Sequence, residues 1–413
     1  MAKKYSFRFL WMGQSLANCG DVFYIVGLMT EVYALTKSAF YMSLVPFFTT
    51  FSRFISGLLA PLILDQIGLK GSLVRSQMGK TFLLLVLAVL LQTHFVAHFF
   101  PQLFLFVVLI SFLDGWATPA RNAMVPILID REGLVKANGF LAIMDQSINM
   151  SGWALGGVLA AFLGGFSMIG ITFLLFIAST ALMMLIEEQP GMCFNHGKVK
   201  PGNKMDGMKA GWIAIWHIPA LRIISVVEVI GSVASTVWMA AIVYIFVNHA
   251  LHVNESWWGY INFTYFAGLI IGGFLTVSSA TFIDKHLILT SLVGLLATSF
   301  LTLFFGWNSI PLSALLISLM VGLFEQLKTV SFETIIQKST KSDVLAKVYS
   351  ATDTLYAFSY GAATLVIGYM TDQIGVKFIF TLSAFLLFLS SLYAMSNRRN
   401  LAVDYEMRKK SNL

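Results

Sequence analysis

Asp21, Glu31, Asp114, Asp145, Glu228, Glu325 and Asp353, together with Arg53, stand inside stretches that are otherwise apolar. Asp21 sets the problem, because it falls near the middle of the apolar stretch from Phe9 to Ser38. A carboxylate at the centre of a membrane helix costs roughly 2.5–3.5 kcal/mol even on an insertion scale. It is tolerable where it faces other helices or a watery cavity. Burial disfavours the ionised form of a carboxylate, so an acid in such a place can take up a proton from one side and release it to the other. The chemistry this points to is a pathway for protons or a solute, with Asp21 as the first candidate. Some of these acids are expected to pair structurally, for example with Arg53 or with Lys328, which we place with Glu333 near a helix end.

Other chemistry finds no pattern. Gly79-Lys80-Thr81 ends like a phosphate loop, but Val74 stands where the first glycine belongs and the site lies within a span. His94 and His98, or His249 and His252, have helical metal-ligand spacing but no further ligands beside them. There is no nucleophile–base signature, and Cys19 and Cys193 offer no disulfide framework. The chain does not read as an enzyme, and no cofactor or metal is expected. Gln14, Asn18, Trp238, Gln326 and Tyr356 combine polar and aromatic character inside spans, which suits a cavity for an amphipathic ligand. Trp257 and Trp258 sit at a span end as interface anchors.

These residues need a frame, and composition says which. Of 413 residues, 57% are hydrophobic and 11% charged, where soluble proteins carry about 25% charged residues. This is a polytopic membrane protein. Its net charge of +7 marks one side of the bilayer and is no nucleic-acid signature. Hydropathy places about twelve spans. They lie near 9–34, 40–63, 72–97, 101–120, 139–163 and 166–187, then 220–248, 257–282, 286–307, 310–331, 349–370 and 376–396. Residues 188–219, with Pro190, Pro201 and Lys198, Lys200, Lys204 and Lys209, form the linker between a first bundle over 1–187 and a second over 220–413. Within the linker, Met208–Leu221 reads as an amphipathic surface helix.

Lys70, Arg75, Arg121, Arg131, Lys136, the linker lysines, Lys285, Lys338, Lys341, Lys347 and the tail residues Arg398, Arg399, Arg408, Lys409 and Lys410 fall on one side. The other side carries only Lys37 and Lys377. Both termini are therefore expected in the cytoplasm, with the chain in the cytoplasmic membrane. The halves echo each other: Leu134, Lys136, Gly157 and Gly164 match Leu345, Lys347, Gly368 and Gly375 at one offset. That points to two parallel six-helix repeats.

Several blocks resemble the major facilitator superfamily. Within it they are closest to the macrolide-efflux and siderophore-export-like drug:proton antiporter branch. They are Gly13-Gln14-Ser15, Gly20-Asp21, Thr36-Lys37-Ser38, Pro119-Ala120-Arg121-Asn122-Ala123 with Pro126, Leu134-Val135-Lys136-Ala137-Asn138, and Gln337 with Val348. The resemblance implies an all-α fold of twelve transmembrane helices in two six-helix bundles. It also implies a central cavity lined by the first, fourth, seventh and tenth helices. Asp21, Asp114, Glu228 and Glu325 lie one on each, which makes these four the candidate proton-coupling set. The loop after the second span keeps Asp65, Gly68 and Lys70 of the superfamily pattern, with Pro61, Gln66 and Leu69 departing from it. Asp65, Gly68, Lys70 and Arg121 are the expected conformational latch, with Asp65 docking on the positive end of a helix from the other half. Gly152, Gly156 and Gly157, without a proline, read as a helix-packing face.

The expected function is proton-coupled export of a small amphipathic compound, antibiotic or siderophore-like, by alternating access of a monomer. A proton- or ion-coupled importer and a non-transporting membrane sensor are the alternatives. The expected partners are the solute, protons and the lipid bilayer.

Overall fold

A computed structural model of the chain describes residues 2–37, 39–92, 101–189, 192, 204–238, 240–254 and 256–401. His94, His98, Cys193, Lys198, Lys200 and the tail residues Arg408, Lys409 and Lys410 lie outside the described residues, as does Ser38.

A chain in lipid must satisfy its backbone hydrogen bonds within each segment, so the apolar runs fold as helices. They are α1 (Ala2–Thr36), α2 (Ala39–Gln92), α3 (Pro101–Leu128), α4 (Leu134–Met184), α5 (Lys204–His217), α6 (Pro219–Ser235) and α7 (Ala240–Phe246). Then follow α8 (Ser256–Ser278), the short α9 (Ala280–Lys285), α10 (Leu287–Trp307), α11 (Pro311–Ser339), α12 (Ser342–Ile374) and α13 (Val376–Ser396). Among the described residues, nine helices are long and apolar enough to cross a membrane. One of these, α2, serves two expected spans. The two expected spans not among the nine lie in the first part of α4 and in α12, where charged and polar residues are more frequent. Each of the twelve expected spans thus has a helix.

Three junctions differ from the expected loops. Inside α2 the chain bends at Gly68 (φ 70°, ψ 175°), and inside α4 at Gly164 (φ 76°, ψ 162°). Gly375 (φ 87°, ψ 152°) separates α12 from α13. This backbone region is essentially open to glycine alone, so successive spans turn into one another without a connecting loop. The linker helix also ends earlier than Leu221. Pro219 has no N–H to continue α5 and instead opens α6. The seventh span is interrupted after Ser235 by a 3-10 turn over Thr236–Trp238 and closes in a π turn over Val247–Leu251.

Contacts group the chain into two compact units. The first holds Met1–Asp130, Ser147–Trp212 and Ser342–Thr354; the second holds Arg131–Gln146, Ile213–Lys341 and Leu355–Leu413. In the first unit, small polar residues clamp α2 to α3. Ser52 donates to the Val108 carbonyl at 2.6 Å, Ser56 to that of Phe112 at 2.5 Å and Ser76 to that of Leu113 at 2.7 Å. Ser179 of α4 donates to the Gly13 carbonyl of α1 at 2.7 Å. In the second unit, α8 and α11 approach so closely that a side chain at Gly322 would strike the Tyr265 carbonyl. Helices without a hydrophobic driving force between them rely on such small-residue contacts. Apolar cores fill the rest: Tyr24, Leu28, Leu84, Leu87, Val107 and Phe176 in the first unit, Val243, Phe246, Phe305, Ile379 and Phe380 in the second.

Candidate functional site: two buried lysine–carboxylate clusters

Lys80 occupies the middle of the second half of α2, and its side chain is 1% exposed. A buried ammonium is stable only with anionic partners and satisfied donors, and it has both. Its Nζ lies 2.7 Å from one Asp21 oxygen on α1 and 2.8 Å from Oδ1 of Asp114 on α3. It also stands 4.9 Å from the centre of the Phe176 ring, within cation–π range. The other Asp114 oxygen takes the Arg53 guanidinium at 2.7 Å. The arginine is the outward edge of the group, 44% exposed against 13% for Asp114. The serine clamps between α2 and α3 explain the register, because they fix the α3 carbonyls of Val108, Phe112 and Leu113 just before Asp114 and so hold it against both Arg53 and Lys80. Two acids and two bases leave this cluster balanced in formal charge.

The second unit repeats the theme with a different sum. Lys328 of α11, 6% exposed, lies 2.6 Å from Glu325 on the same helix and 3.5 Å from Glu228 on α6. Far from sitting near a helix end, Lys328 is buried well inside α11, with its Cβ beside Gly294 of α10. Tyr265 of α8 and Tyr356 of α12 are within electrostatic reach of Glu325 and Lys328. Tyr356 is 45% exposed and stacks on Tyr360 at 5.8 Å between ring centres. Among the described ion pairs, two glutamates against one lysine leave one formal negative charge in excess. The glutamates are also more open than their counterparts, at 28% and 27% exposed.

All four candidate coupling acids therefore hold a buried lysine. Lys80, which joins two of them, was missed in the sequence. Its signal was available: a lone lysine in an apolar span needs an anionic neighbour whatever the phosphate-loop pattern says. The candidate cavity residues fall in different places. Gln14 donates to Asn18 Oδ1 at 2.8 Å along one face of α1. Gln326 is buried with its Cβ against Gly272 of α8. Trp238 is packed among Tyr265, Phe305 and Phe380, with ring centres 5.6, 4.7 and 6.0 Å away. Among the described residues its buried indole N–H finds no hydrogen-bond partner.

The residues of the expected latch also have definite places. Asp65 meets the Lys347 ammonium, near the start of α12, at 2.8 Å. Where the positive end of a helix was expected, Asp65 thus meets a lysine side chain. Gly68 is the bend itself, and Lys70 lies half-buried just beyond it. Arg121 donates to Asn122 Oδ1 at 3.1 Å and acts electrostatically on Asp353 of α12. Ser350 donates to the Gly57 carbonyl nearby. In the second unit, Asn138 of α4 and Gln337 of α11 form a reciprocal amide pair. Asn138 Nδ2 donates to Gln337 Oε1 at 2.9 Å, and Gln337 Nε2 returns a bond to Asn138 Oδ1 at 3.2 Å. Asn138 also donates to Thr334 at 3.0 Å.

Residues 10–355 match the family model described as Major Facilitator Superfamily. The chain belongs to this superfamily. It is 30% identical over 389 residues to a Bacillus subtilis protein described as an uncharacterized MFS-type transporter, YfmI, covering 93% of this chain and 94% of that one. Among solved structures, the human organic anion transporter MFSD10 superposes with a TM-score of 0.75 at 13% identity, covering 95% of this chain and 100% of its own. The Escherichia coli fucose:proton symporter FucP gives a TM-score of 0.74 at 14% identity, covering 96% and 99%. At such identities the likeness is one of fold. As a superfamily member the chain is a multi-pass membrane transporter.

Proposed function

We propose that this transporter exports a small amphipathic compound in exchange for protons, by alternating access of the bundles over 1–187 and 220–413. The observation that carries the coupling is the charge excess around Lys328. A group with two carboxylates and one ammonium can bind one proton and become neutral, whereas the Lys80 group is neutral as it stands. On this reading Glu228 and Glu325 exchange the proton, while Asp21 and Asp114 hold the first unit together around Lys80. Tyr356, Tyr360 and Tyr265 offer aromatic surface beside the glutamates, which suits an amphipathic solute. A proton-using neighbour of the same fold, the fucose:proton symporter, supports the choice of ion. Asp65, Gly68, Lys70, Lys347 and Arg121 serve as the latch.

The test begins by finding the solute, from drug and metabolite accumulation in cells with and without the gene. Reconstituted vesicles then receive an imposed pH gradient. Glu325→Gln and Glu228→Gln should each cut gradient-driven accumulation by at least about tenfold, while leaving downhill exchange of the solute intact. Loss of a transition between protonation states removes coupling, not binding. If Asp21→Asn abolishes coupling and both glutamine variants retain it, the proton belongs to the first unit. Accumulation in the opposite direction under the same gradient would replace export with import.

A further inference from the structure

We propose that the second unit binds an anionic phospholipid, with its phosphate headgroup in a pocket where α9, α10, α11 and the end of α13 meet. The pocket has a volume of about 310 Å³ and is lined by Asp284, Lys285, His286, Ile335, Arg398 and residues of the first turns of α10. Its acid is already occupied: Asp284 receives the Lys338 ammonium at 2.5 Å. Lys285 and Arg398 remain as exposed cationic groups at the rim, so the pocket is electropositive. The start of α10 adds to this. No side chain caps it, because the His286 ring turns back to the Phe282 carbonyl at 2.9 Å, and the first-turn N–H groups of a helix attract anions.

The apolar surroundings select a lipid over a free anion. Leu289, which lines the pocket, begins a stripe of exposed apolar side chains on α10. It continues through Val293, Phe300 and Phe304, which are 45%, 48% and 61% exposed. Their spacing keeps them on one face of the helix. The stripe runs from the pocket along a membrane-spanning helix, the path an acyl chain takes from its headgroup. Inorganic phosphate would use the basic rim and leave the stripe unexplained. Basic pockets at the ends of membrane helices recognise anionic headgroups in this way.

The purified full-length protein in detergent is challenged with phosphatidylglycerol, phosphatidylcholine or inorganic phosphate. Bound lipid is counted by native mass spectrometry, and thermal unfolding is followed in parallel. Wild type should retain phosphatidylglycerol in preference to phosphatidylcholine and gain melting temperature from it, with no gain from inorganic phosphate. The K285Q/R398Q double variant should lose that preference, with retention weakened roughly tenfold or more, the order expected for removing two cations from an anionic headgroup. Both side chains are exposed, so the variant is expected to fold, and its unchanged melting temperature without lipid checks this. Lys377→Gln, an exposed lysine at the other end of α13, should keep the preference. Equal retention of the two lipids, an unaltered preference in the double variant, an equal loss in Lys377→Gln, or an equal effect of inorganic phosphate would each overturn the proposal.

Discussion

Lys80 is the residue on which the first unit turns. It is the sole cation within bonding distance of Asp21 among the described ion pairs, whereas Asp114 has Arg53 as well. Removing one partner of a buried ion pair costs about 3–5 kcal/mol, because the other charge is left uncompensated. Lys80→Met should therefore lower thermal stability in detergent strongly. Adding Asp21→Asn should restore most of it, since Asp114 keeps Arg53 at 2.7 Å and no acid is left alone. The double-mutant cycle should show coupling between the two sites. A Lys80→Met protein that melts like wild type would remove the cluster from any structural role. In the second unit Lys328 poses the reverse question, because there an acid is in excess before any mutation.

At the scale of elements, α5 packs on the Asp65–Lys347 pair. A side-chain carbon at Gly207 would stand 2.8 Å from the Asp65 carboxylate, and one at Gly211 would strike the Lys347 carbonyl. The linker helix thus packs its glycines on both members of the Asp65–Lys347 pair. Gly211→Leu should push α5 away and loosen the start of α12, at the roughly 1–3 kcal/mol typical of overpacking. Hydrogen exchange over Ser342–Thr354 should accelerate in Gly211→Leu and in Asp65→Asn. Unchanged exchange in the glycine variant would mean that α5 is a passive connector.

For the whole molecule, the basic residues make the topology testable. Cysteines placed at positions 198 and 410 should resist a membrane-impermeant reagent applied to intact cells, while cysteines at 37 and 377 should react. Strong labelling of either of the first two from outside would overturn an arrangement with linker and tail in the cytoplasm. The lysine and arginine bias of the connecting segments sets this orientation, because such a bias orients membrane proteins during insertion.

The sequence by itself determined the fold class, because lipid leaves a spanning chain little choice but a helix and hydropathy alone marks where each lies. It also determined which acids are costly in the membrane, since that follows from Asp21, Asp114, Glu228 and Glu325 standing in apolar runs. Only the tertiary structure decided their partners. Lys80 reaches Asp21 and Asp114 across three helices because serine-to-carbonyl clamps set the register of α2 on α3, and no local pattern encodes that register. The same holds for Asp65 with Lys347 and Asn138 with Gln337, which stand far apart in the chain and meet through helix packing. Likewise only the fold places the Trp238 ring among Tyr265, Phe305 and Phe380, because the direction of a side chain depends on which helix face is buried.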